Sequence, residues 1–419
     1  MTAKQLNRSH LSDFRGAARM VVDAAEAMTE VVEKMHRTIQ VRPGPLGISV
    51  ADRTQGISGL VYRSIRTGIR LVGRVVDASL APAMMLLPEG ESSRVRDAYR
   101  SAANGVYGDY LSRTGNPLAI DMGLHHRDRQ VDLNDPTSVL KQHNDVVPVV
   151  SKLLVLVHGS CMNDQQWDRN GHDHGAALAD DLGYLPLYLR YNSGLQIMSN
   201  GRSFAELLEA LIGNCKLPVE ELAIMGHSMG GLVARSACHY GRAAGHEWPT
   251  YLRKLVFLGT PHHGAPLEQG GHGLDVLMDL SPYSMPLTRL SRARSEGITD
   301  LRHGTISAGE YTVPLPSGVR CYAAAAVRAA KRGLLSDRLV GDGLVPLDSA
   351  LGRHRDATRS LKIPKSRQWV GYGLTHHDLL CHPDVYAQVR RWLQQPADPA
   401  RCRQGPHPLH STLSGRTLV

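Results

Sequence analysis

Apolar residues recur at Phe14, Ala17, Val21, Ala24, Met28, Val31 and Met35, alternating steps of three and four. That spacing lays them along one face of a helix over 14–39, and such a face needs a partner surface. A second helical stretch, 57–81, sets Arg63, Arg66, Arg70 and Arg74 on one side, with Val61, Ile65, Leu71, Val72, Val75 and Val76 largely opposite. The simpler reading has those arginines solvated and the apolar side packed on the first helix. The sharper one makes 57–81 a peripheral contact to a membrane or lipid body. A third helix is predicted from Ser93 to Ser112 by Val95, Tyr99, Ala102, Val106 and Tyr110, and Gly115-Asn116-Pro117 ends it. Residues 1–115 are therefore expected to form a helical N-terminal region.

From Leu118 onward the pattern changes to short apolar runs between turns and helices: 153–157, 185–191, 222–225 and 255–258. Strands alternating with helices predict an α/β fold, a mostly parallel sheet covered on both faces, over 116–395. An amphipathic helix, Val385 to Leu393, closes this domain, and 396–419 are expected to form a flexible tail.

Composition narrows the picture. A chain of 419 residues with 42% hydrophobic content can fill one large domain plus an accessory region. The net charge of +9 suits anionic surfaces, yet aromatic residues are only 5% and no basic recognition module is present, which argues against nucleic acid. The first ten residues lack an apolar segment of the secretory type, and the longest greasy stretch, Leu80 to Leu87, is far below the ~20 residues that span a bilayer. A cytoplasmic location is the resulting expectation. Cysteines 161, 215, 238, 321, 381 and 402 show neither paired nor metal-type spacing, which suggests reduced thiols.

The chemistry centres on Gly226-His227-Ser228-Met229-Gly230, directly after the run 222–225. A strand that turns sharply into a helix at G-x-S-x-G exposes the serine on a strained corner, where glycines leave room for the chain crossing. Chance could supply such a string in a chain with 41 glycines, but the flanking strand and the helix-like Gly231 to Ala237 argue otherwise. Ser228 is read as a nucleophile.

A serine needs a histidine to take its proton and a carboxylate to orient that histidine, both after it in this fold's chain order. Asp342, between Gly341 and Gly343, is the candidate acid, with Asp337 and Asp348 as nearby substitutes. The base is His376 or His377, since adjacent side chains point in different directions. An oxyanion hole needs two backbone N–H groups, supplied here by Met229 and by the loop Val157-His158-Gly159-Ser160 through the Ser160 amide. His158 comes too early for a base and is given a structural role. His172, Asp173, His174, His262 and His263 lack compact ligand spacing, so neither a catalytic metal nor a cofactor is expected.

These strings resemble the α/β-hydrolase superfamily, and more closely bacterial triacylglycerol lipases and inositol-deacylase-like (PGAP1-like) esterases, over about 150–395. The matching segments are Val157 to Gly159, Gly226 to Gly231, Gly259-Thr260-Pro261-His262-His263-Gly264, Asp342 to Pro346 and His376 to Leu380. The resemblance implies Ser228 as nucleophile, Asp342 as acid and His376 as base, leaving His377 as the alternative. It also implies that 265–300 forms a lid or cap. The expected activity is a serine esterase or lipase acting on a small-molecule or lipid ester. Acyltransferase, thioesterase or intracellular polyester depolymerase chemistry uses the same acyl-enzyme, and a lipid-surface or partner-binding protein with secondary hydrolysis is a third reading. Oligomeric state is left open.

Overall fold

The computed structural model describes residues 8–40, 56–85, 94–136, 152–215, 218–265, 295–309, 313–330 and 341–396. Most of the expected lid and nearly all of the expected tail lie outside the described residues. Three N-terminal helices come first, α1 (Arg8–Gln40), α2 (Gly56–Met85) and α3 (Arg94–Arg113). Among the described residues eight strands follow, β1 (Gly123–His126), β2 (Arg129–Gln130), β3 (Lys152–Val157), β4 (Leu185–Arg190), β5 (Glu221–His227), β6 (Leu252–Leu258), β7 (Arg320–Val327) and β8 (Gln368–Tyr372). The helices among them are α4 (His174–Leu182), α5 (Ile197–Asn214), α6 (Met229–Ala243), α7 (Glu296–His303) and α8 (Pro383–Gln394).

The strands form one sheet in the order β2-β1-β4-β3-β5-β6-β7-β8. The two pairings of β1 are antiparallel and every pairing from β4 to β8 is parallel. Parallel strands covered on both faces read as continuous apolar runs, and successive side chains go to opposite sides. In β3, Leu153, Val155 and Val157 join the core with α5 and α6, whereas Leu154 and Leu156 join the one with Trp167, Leu178 of α4 and Trp392 of α8. The alanine-rich β7 divides the same way, Ala323 and Ala325 against Ala324 and Ala326.

Helix α3 packs on the loops that leave β3 and β4. A Cβ on Gly105 would come within 2.2 Å of Cys161 Sγ, and the Asn192 amide donates to the Gly108 carbonyl at 2.9 Å. Asp97 on the same helix is buried beside Arg190, at 3.3 Å.

The α1–α2 pairing differs from the simpler sequence reading. Arg66, expected in solvent, is buried against Glu33, and Arg70 meets Glu26 at 3.0 Å. Val61, Ile65, Leu71 and Val72, expected against α1, are exposed. Close approach explains the exchange: a Cβ on Gly73 would lie 2.9 Å from Val22 Cγ1, so α2 turns its small-residue side towards α1 and its valines away. Among the described residues no helix is long and apolar enough to cross a membrane.

Candidate active site

Parallel strands in register deliver their carboxyl ends to one edge of the sheet, where open α/β sheets bind ligands. Val157, the last residue of β3, pairs with Gly226, and Gly226 pairs with Phe257 of β6. Every candidate residue therefore follows a strand that ends at this edge.

Ser228 sits between β5 and α6 with φ 53° and ψ −124°, a conformation costly for a residue with a Cβ. Its N–H donates to the Leu258 carbonyl at 2.8 Å, which ties the corner to β6. A Cβ on Gly230 would lie 2.2 Å from the Val157 carbonyl oxygen, so the helix start can cross β3 this closely only without a side chain. Met229 opens α6 and is buried, and its N–H belongs to the first turn, whose amides have no intrahelical acceptor.

Asp342 and His376 meet through a buried contact of 2.6 Å between Oδ2 and Nδ1. The other carboxylate oxygen of Asp342 accepts from the N–H groups of Leu344 and Val345, at 2.9 and 2.8 Å. Both oxygens are thus committed, and the aspartate is fixed in direction. The remaining ring nitrogen of His376, Nε2, has no hydrogen-bond partner among the described residues. The imidazole packs on Gly259, where a Cβ would lie 2.9 Å from its Cε1. His377 is half-buried, with its ring centroid 6.0 Å from that of His376. Asp348 lies at the surface, 3.8 Å from Arg353, and Asp337 falls outside the described residues.

His227, the variable residue of the G-x-S-x-G string, supports His376 from behind. Its Nε2 lies 3.2 Å from the His376 carbonyl oxygen, and the two rings are 4.7 Å apart. Burial first, and then the neighbouring charges of His376 and His377, hold its pKa well below the usual histidine range. His227 is therefore a neutral donor through Nε2. Sequence reasoning gave it no role, although it lies inside the motif.

The loop after β3 passes directly beside the serine: a Cβ on Gly159 would lie 3.2 Å from Ser228 Cβ. Tyr191 holds this loop, donating its hydroxyl to the His158 carbonyl at 2.9 Å and stacking on the His158 ring at 4.3 Å. Cys161, at φ 59°, donates its N–H to Ser193 Oγ at 3.0 Å. Ser160 between them is fully buried. Desolvation lowers the His158 pKa to about 4, so this imidazole is neutral and structural. Tyr191 and Ser193 carry no local signal in the sequence; only the packing of β4 beside β3 makes them braces.

His172, His174 and His262 are tied up in packing. His172 and His174 contact each other at 2.8 Å, and His174 reaches the Leu379 carbonyl at 3.0 Å, linking α4 to the segment after His376. His262 lies edge-on to Phe257 with its Nδ1 3.4 Å from Arg235. Among the described residues no group of three or more side chains could hold a metal ion.

An eight-stranded sheet in this order, with a strained serine corner after β5 and an acid–histidine pair at the ends of later strands, decides the architecture. The fold is that of the α/β-hydrolases. Residues 150–323 match the family model described as the PGAP1-like alpha/beta domain. Among solved structures, the chain is similar to the Bacillus licheniformis lipase BlEst2 in mature form at 18% identity and a TM-score of 0.39, over 60% of this chain and 94% of that one. The product of gene lin2722 from Listeria innocua is similar at 17% identity and a TM-score of 0.37, over 59% and 96%. An esterase from Pyrobaculum calidifontis is similar at 14% identity and a TM-score of 0.36, over 58% and 75%. A comparison with curated proteins returned no match.

Proposed function

We propose that this α/β-hydrolase is a serine carboxylester hydrolase working through an acyl-enzyme on Ser228. The single observation that carries the reading is the buried 2.6 Å contact between Asp342 and His376 Nδ1, with Nε2 of the same ring unpartnered. A histidine bonded at Nδ1 to a carboxylate keeps its proton there, and Nε2 is then the basic nitrogen. It accepts the Ser228 hydroxyl proton as the oxygen attacks the acyl carbonyl, and passes that proton to the departing alcohol. Water, deprotonated by the same nitrogen, then attacks the acyl-enzyme and releases the acid. Asp342 orients the imidazole and stabilises its positive charge. The Met229 and Ser160 amides hold the oxyanion, a role in keeping with the close approach of Gly159 to the serine.

The test is direct. Purified protein is expected to hydrolyse p-nitrophenyl esters and to be labelled by a fluorophosphonate, and Ser228→Ala is expected to lose both. Full activity in the alanine variant would overturn the assignment. A parallel screen of short-chain esters, long-chain triglycerides and phospholipids identifies the acyl group and the alcohol.

A further inference from the structure

Among the described residues, the large hydrophobic side chains left exposed lie on α1, α2 and the start of α3, and none lies on the sheet domain. On α1 they form a stripe through Phe14, Val21, Met28 and Val31, with Val21 69% and Met28 66% exposed, and Ala17 and Ala24 fill the steps between. On α2 a matching stripe runs through Val61, Ile65 and Val72. The α1 stripe steps by three and four, and Val61, Ile65 and Val72 keep the same face at spacings of four and seven, the period with which helices pack along one another.

The contacts of the hairpin fix where these stripes point. Glu26 with Arg70, Glu33 with Arg66, and Val22 against Gly73 make α1 and α2 antiparallel neighbours. Gly16 and Asp23 turn another side of α1 towards α3 and the turn that follows it, through Asn116 and Tyr110. At 3.6 residues per turn the α1 stripe lies away from both contacts, and the α2 stripe emerges on the same side of the hairpin. The result is a two-helix apolar face, with no charged residue on it between Phe14 and Val31 or between Val61 and Val72.

We propose that this face is a dimer interface, covered by the same hairpin of a second copy of this chain to complete a four-helix bundle. Two helices with parallel apolar seams are half of such a bundle, and a two-fold axis supplies the other half. The face can meet its own copy because it opposes no like charges. Its extent reaches the lower bound for a biological interface: Phe14 to Val31 spans about 26 Å of helix and two helices about 20 Å of width, so two joined faces bury about 1,000 Å². A lipid surface fits less well. Basic residues on the polar side of a membrane-lying helix attract anionic headgroups, yet two of the four arginines on that side of α2, Arg66 and Arg70, are engaged by Glu33 and Glu26. The acids Asp23, Glu26 and Glu30 of α1 would repel the same headgroups.

The test is the mass of the full-length chain in solution, by light scattering and sedimentation at micromolar concentration. The expected species is a dimer. Val21→Glu on α1 and Val72→Glu on α2 are each expected to raise its dissociation constant about 100-fold or more, because each buries an unpaired carboxylate. Circular dichroism and ester turnover are expected to stay unchanged, and Arg63→Glu, on the other side of α2, is expected to remain dimeric. Using one variant on each helix leaves a second measurement if one misfolds. A monomeric wild type, or a dimer that survives both valine substitutions, overturns the proposal. So does a monomer that floats with phosphatidylglycerol vesicles and loses that binding in Val21→Glu, which would assign the face to lipid.

Discussion

Replacing Asp342 with asparagine isolates one bond at the candidate site. In the native protein Oδ1 accepts two backbone N–H groups, from Leu344 and Val345, while Oδ2 accepts from His376 Nδ1. An asparagine must keep its only oxygen facing the two N–H donors, since turning the amide would set donor against donor. Its NH2 group then faces His376, and the imidazole can pair with it only by giving up the Nδ1 proton. The proton moves to Nε2, the nitrogen that has to accept from Ser228. The loop at 341–346 keeps its two hydrogen bonds, so stability is expected to change little while chemistry is lost. The same substitution in a Ser-His-Asp site costs about 10⁴-fold in kcat, close to 5.5 kcal/mol in the barrier. The assay is steady-state hydrolysis of a p-nitrophenyl ester with the thermal midpoint measured in parallel, and KM is expected to stay within a few-fold of wild type. Activity within tenfold of wild type, in a protein folded as well as wild type, would refute the tautomer argument.

Three further outcomes follow from contacts away from that bond. Gly230→Ala places a methyl 2.2 Å from the Val157 carbonyl oxygen, so the helix start must move; a loss of turnover and about 1–3 kcal/mol of stability are expected by denaturant titration. Lys254 is buried with its ammonium 2.9 Å from Glu221 and 2.7 Å from the Leu393 carbonyl. Lys254→Ala leaves the Glu221 carboxylate with the Tyr184 hydroxyl but no cation, and is expected to cost about 3 kcal/mol without changing kcat in the folded fraction. Acid should destabilise the fold through His158 and His174, whose pKa values burial lowers to about 4. Below the unfolded value of ~6.5 the unfolded chain binds more protons, so stability is present above that pH and is lost as pH falls towards 4, by up to about 3 kcal/mol for each histidine. Unfolding midpoints between pH 7 and pH 4 check this, and a flat profile would contradict it.

The strings that form the candidate site were legible because their constraints are local. A serine on a strand-to-helix corner needs glycines within three residues of it, and a buried aspartate with two backbone donors needs a turn such as Gly341-Asp342-Gly343, so Ser228 and Asp342 stand out without any partner in view. Runs such as 153–157 announce buried strands because side chains on both faces are apolar. The choice between His376 and His377 is not local: resemblance selected His376, and the contact to Asp342 arises only when β7 and β8 lie side by side. Tyr191, Ser193 and Gly259 likewise acquire their contacts to the site from strand order alone. Strand β7 was not legible either, since Ala323 to Ala326 have weak strand preference and are held in the sheet by β6 and β8.

The N-terminal helices divide in the same way. Their existence and approximate bounds follow from periodicity, which each helix carries in its own sequence. Which face meets which neighbour is a property of the pair. The valine face of α2 was expected against α1, but Gly73, which allows close approach to Val22, and the ion pairs from Glu26 and Glu33 turned that face outward. Periodicity therefore determined that each helix has an apolar side, and tertiary packing decided which apolar sides are covered, because burial depends on the backbone distance between two segments and neither segment encodes that distance alone.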